Sequence, residues 1–118
     1  MRLMAGNNDL ILDVLREYGA SDVTVGLANK RLHEGNATFS REMPLDGTYK
    51  MSESVEEGVD LIIYLSGKHI ELRWLEDESE FAILVTEALE MAIHLTKILV
   101  KARAEEMKWA KQKLNTAS

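Results

Sequence analysis

Leu10, Ile11, Val14, Leu15 and Tyr18 recur at helical spacing after a good N-cap at Asn7 or Asn8, and Gly19 stops the run. This predicts a first helix of about three turns. Val23, Val25 and Leu27 then alternate with Asp22, Thr24 and Gly26, the period-two pattern of a half-buried strand. Leu32–Asn36 reads as a turn, Ala37 to Met43 as a second strand with Phe39 in the core, and Pro44 belongs at that strand's edge. Asp46-Gly47 is a hairpin dipeptide that pairs Thr48–Met51 with Met43–Leu45. Ser52–Gly58 is polar and acidic, and fits a loop or a short helical turn. Val59–Leu65 reads as a central strand, Ser66-Gly67 as a turn, and Lys68–Leu75 as a strand with Ile70, Leu72 and Trp74 on its covered face and His69, Glu71 and Arg73 on its wet one.

From about Ser79 to Leu114 the chain has neither proline nor glycine, and Asp77 or Ser79 caps the long helix this predicts. Such a helix is a rod of about 50 Å, longer than a compact domain of this size, so part of it protrudes or pairs. Phe81, Leu84, Val85, Ala88, Ala92, Leu95, Leu99 and Ala102 form a stripe for the sheet. Ile83, Met91, Ile93, Ile98 and Val100 lie off it, which makes the helix greasy on more than one side. With Met107 and Trp109 of the terminal turns they form a candidate homodimer or partner interface. Met107, Trp109 and Leu114 stand among Lys and Glu and read as an amphipathic tail or coiled-coil extension, although their spacing fits heptads poorly.

The expected architecture is therefore α+β: an antiparallel sheet of four to five strands, flanked by a short N-terminal and a long C-terminal helix. One domain spans 1–118, with 103–118 as a protruding helical tail. A length of 118 residues, 46% of them hydrophobic, suits one such domain with a modest core.

Charge and composition narrow the function. The net charge of −6 argues against nucleic acid, which demands clustered Lys and Arg. Acid is concentrated between Glu53 and Glu90, and base at Lys97, Lys101, Arg103, Lys108, Lys111 and Lys113, an order that complements the dipole of the long helix. The absence of cysteine excludes disulfides and thiolate chemistry. No apolar run approaches the ~20 residues of a membrane span, and Met1–Gly6 lacks a signal-peptide core, so a cytoplasmic protein is expected.

Candidate chemistry is sparse. Glu90 and His94 stand one turn apart and fit a shared metal or, more simply, a surface hydrogen bond. His94-Leu95-Thr96-Lys97 lacks the acidic residue and the proline of a histidine-kinase phosphoacceptor box. Glu76-Asp77-Glu78 fits a solvated corner better than a cation site. No glycine-rich phosphate loop is present. No enzyme activity, cofactor or metal is expected.

The order Val59–Leu65, Ser66-Gly67, Lys68–Leu75, acidic corner and helix Phe81–Leu99 resembles the closing half of GAF domains, and helix Asp9–Tyr18 followed by residues 19–25 is similar to a GAF entry. The resemblance implies a small sensory sheet between a first and a last helix, with the last helix joining a dimeric signalling rod. The absence of cysteine removes covalent bilin attachment. The functional expectation is a non-catalytic, dimeric regulatory or ligand-sensing module that signals or assembles through its last helix. The alternative is a small acidic partner-binding protein, such as a secretion chaperone or a phage-type inhibitor.

Overall fold

A computed structural model describes residues 6–39 and 42–117. It shows four helices, α1 (Asn7–Glu17), α2 (Asp22–Phe39), α3 (Met51–Trp74) and α4 (Glu80–Ala117), and no strand among the described residues. The expected α+β architecture and its antiparallel sheet are thereby corrected. The segments that carried the GAF resemblance, 19–25, 59–65 and 68–75, contain no strand, so the resemblance loses its structural basis. The chain divides between Tyr49 and Lys50 into two compact units.

In the first unit α1 packs on α2. The first helix forms as its periodicity predicts, but Gly6 occupies the cap position, without a side-chain cap of its own. Asn7 Nδ2 donates to the Met43 carbonyl, Asn8 Oδ1 accepts the Met43 N–H, and the Asn8 N–H donates to Glu42 Oε1. A carboxylate 34 residues away thus takes one of the orphan donors of the helix. Gly19, at φ +84°, closes α1: its N–H reaches the Arg16 carbonyl and the Ala20 N–H reaches that of Leu15.

The expected strand at 22–27 is the start of α2, capped by Ser21, whose hydroxyl accepts the Thr24 N–H. Period two over so few residues does not separate strand from helix. Of the three apolar residues only Val25 is buried, while Val23 and Leu27 are exposed. The expected turn at 32–36 is helical too, and the expected strand at 37–43 ends α2 at Phe39, whose side chain lies outside the described part. Asp46-Gly47 forms a bend without a ladder: Gly47 has φ +84° and Asp46 Oδ1 accepts the Thr48 N–H.

The second unit is an antiparallel hairpin of α3 and α4. Glu53 opens α3 by accepting the Lys50 N–H, and the 52–58 segment left open between loop and helical turn is part of this helix. Its inward residues are Met51, Val55, Gly58, Ile62, Leu65, His69 and Leu72, spaced alternately by four and three. On α4 the corresponding row is Ala82, Val85, Leu89, Ala92, Thr96, Leu99, Arg103 and Glu106. Two seven-residue repeats facing each other form a coiled-coil seam. Its register is fixed by the Met51 N–H donating to Glu106 Oε1 (3.0 Å) and by His69 Nδ1 lying 3.1 Å from Thr86 Oγ1. At Gly58 the helices approach closely enough that a Cβ there would stand 2.9 Å from Thr96 Oγ1. Gly58 is therefore a point of close helix contact.

The turn between these helices is a Schellman closure with Glu76 in the left-handed region (φ +53°): the Glu76 N–H reaches the Arg73 carbonyl and the Asp77 N–H that of Leu72. Asp77 Oδ1 then accepts the Ser79 N–H at 2.8 Å, and the Ser79 hydroxyl accepts the Ala82 N–H as an N-cap does.

Candidate functional site

A two-helix hairpin has one seam and two open sides, and what lines those sides follows from the heptad. On α4 the seam mixes small residues with Leu89 and Leu99, and Val85 and Ala92 are only 7% and 4% exposed. Further large apolar residues fall next to it. On the first side Leu61 and Leu65 of α3 and Ala88, Met91, Ala92 and Leu95 of α4 line an open groove of about 810 Å³, together with Glu90 and His94. On the second side Ile62, Ile93, Thr96 and Val100 line one of about 400 Å³ beside Lys97 and Lys101. At the turn end Asp77, Glu78, Glu87 and Glu90 share a third, acidic depression with Ala82, Ile83 and Thr86.

Every residue expected at the interface is exposed: Ile83, Met91, Ile93, Ile98, Val100, Met107 and Trp109. They do not form one patch. Met91 belongs to the first groove, Ile93 and Val100 to the second, and Ile83 to the acidic depression. Ile98 lies two turns beyond Met91, on the same side of α4. The stripe assigned to a sheet also divides: Val85 and Ala92 are buried against α3, while Phe81, Leu84 and Leu95 are exposed. Sequence reasoning missed Leu61, Ile63, Tyr64 and Ile70, all exposed on α3, because the first three fall in a run read as a central strand and Ile70 on the covered face of the strand expected after it. The seven-residue spacing of α3 is the signal that finds them.

The polar groups are few. Thr96, the one buried polar side chain among the described residues, donates to the Ala92 carbonyl at 2.7 Å. His69, expected on a wet face, is half-buried in the seam. Asp77 is held below the ordinary carboxylate range, chiefly by the Ser79 hydroxyl and then by the Ser79 N–H. Among the described residues no group of three His, Asp or Glu side chains is placed to hold a metal. No helix of the described residues is long and apolar enough to cross a membrane.

Beyond Glu106, level with the start of α3, α4 continues to Ala117, so its last turns have no α3 beside them. Met107, Trp109 and Leu114 are exposed there, and Lys113 Nζ lies 5.9 Å from the Trp109 ring centroid. Compared with known proteins, the chain matches no family model, no curated protein and no solved structure.

Proposed function

We propose that this protein is a non-catalytic assembly module whose α3–α4 hairpin works by being covered. The observation that carries this reading is the concentration of large apolar side chains on both open sides of the hairpin, with Met91 66% and Ile98 49% exposed. Contiguous apolar surface of that kind marks an interaction site. One hairpin side, about 36 Å long from the rise of α3 and about 20 Å wide for two helices, presents roughly 700 Å², close to the ~800 Å² per partner of a stable interface.

Burying such a surface contributes several kcal/mol at ~25 cal/mol per Å², before the cost of association is subtracted. The second groove, with its apolar floor and Lys97 and Lys101, fits an amphipathic acidic helix of another protein. That is how the partner-binding alternative survives beside self-association.

Melting the protein at a series of concentrations tests the proposal. An associating protein gains stability by mass action, so its Tm rises with concentration. The double variant Met91→Glu/Ile98→Glu is expected to keep its helical signal and lose that dependence. A wild-type Tm that stays constant over a hundredfold dilution counts against self-assembly.

A further inference from the structure

On α4, the positions seven apart that start at Glu80 read Glu80, Glu87, His94, Lys101, Lys108. All five are exposed. They form one row along the helix, acidic in its first half and basic in its second, with His94 at the centre. The row flanks the outer apolar stripe formed by Leu84, Met91 and Ile98 at one set of heptad positions and Ala88, Leu95 and Ala102 at the next.

This combination is a second coiled-coil seam on the same helix. In such a seam the flanking charged positions set partner and orientation. Laid parallel and in register, the two rows fall on opposite edges of the seam, where Glu87 faces Ala92 and no pairing between the rows forms. Reversed about His94, the row sets Glu80 against Lys108 and Glu87 against Lys101, each pair twice. The geometry of an antiparallel coiled coil demands that the apolar layers agree with this charge register. They agree to within one residue: centred on Ile93, Leu84 falls opposite Ala102, Met91 opposite Leu95 and Ile98 opposite Ala88, about 1.5 Å along the helix from the charge centre at His94.

We infer that α4 pairs with the α4 of a second copy of this chain in antiparallel orientation, with the two-fold axis at His94. The inference rests on the assembly reading above and specifies its partner, side and register. Met91 and Leu95 of this stripe line a groove together with Leu61 and Leu65, so α3 contributes to the same contact. The Lys108–Glu105 pair within α4 is exposed on both sides and does not hold Lys108 against a neighbour.

The chain has no cysteine, so single nitroxide labels can be placed by Glu80→Cys and by His94→Cys in the full-length protein. Antiparallel pairing about His94 predicts a distance of about 42 Å between the two position-80 labels, twenty-eight residues of helix at 1.5 Å each. It predicts a short distance, near the ~10 Å separation of packed helices, between the position-94 labels. A short distance at both positions overturns the orientation and leaves the assembly reading standing. No dipolar coupling together with a monomeric mass overturns both.

Charge exchange supplies a second test. Glu87→Lys creates two like-charge contacts per dimer and is expected to weaken self-association about tenfold. Glu87→Lys/Lys101→Glu is expected to restore it to within about threefold. A double variant no tighter than the single one contradicts the proposed register.

Discussion

The inner and outer faces of α4 run the same seven-residue spacing but differ in what covers them. The inner row mixes the small residues Ala82, Ala92 and Thr96 with Val85, Leu89 and Leu99, and it lets α3 approach until Gly58 meets Thr96. The outer row, Phe81, Leu84, Met91, Leu95 and Ile98, is bulky, and every member is exposed. The α3 helix covers the inner row, whereas the outer row keeps a comparable set of large apolar residues exposed.

The contrast breaks most visibly if the two faces are charged in turn. Val85→Asp buries an unpaired carboxylate in the seam and is expected to cost about 4 kcal/mol or more, seen as loss of helical signal in urea. Phe81→Asp, one turn away on the outer row, is expected to change the stability of the monomer by less than about 1 kcal/mol. Equal losses at the two positions would erase the distinction between the faces.

Glycine sharpens the same point at smaller scale. Gly58→Val forces two extra methyl groups against Thr96 and Leu99 and is expected to cost about 1–3 kcal/mol in denaturant melts. Gly67 lies in the same helix with open space where its Cβ would be, so Gly67→Ala is expected to gain up to about 1 kcal/mol.

These glycines also explain what the sequence concealed. Gly58 and Ser66-Gly67 bracket the dense run Val59–Leu65, and in isolation that pattern is a strand between turns. Its apolar positions satisfy period two and period three-and-a-half alike, and only the longer repeat, which admits Gly58 and His69 to the seam, distinguishes them. The helices α1 and α4 were legible because their apolar spacing is helical throughout and one end of each is marked locally, α1 by Gly19 and α4 by Ser79. The exposed residues of α4 were legible as well, since an apolar residue off the main stripe is visible in sequence. Their division between two sides was not, because it depends on where α3 lies. Met91, Ile98 and Trp109 share one side with Leu95, whereas Ile93, Val100 and Met107 fall on the other.

Turn chemistry gives the smaller effects. Glu76 holds the left-handed position that Gly19 fills in the first unit. Glu76→Gly is expected to raise stability by about 0.5–1 kcal/mol, measured as a rise in Tm. For Asp77 the sign follows from its lowered pKa. Its contribution is present above the ordinary aspartate value of 3.8 and fades as pH falls through the lower folded value. Asp77→Ala is thus expected to melt slightly earlier than the parent at neutral pH and together with it in strong acid, as a pH series of melts would show.

The central claim, that the hairpin's outer face exists to be covered by a second copy, is tested most directly by the solution mass of the full chain. Light scattering behind size exclusion over a dilution series is expected to give twice the monomer mass, falling to the monomer only at high dilution. A monomeric mass at every concentration would contradict the account.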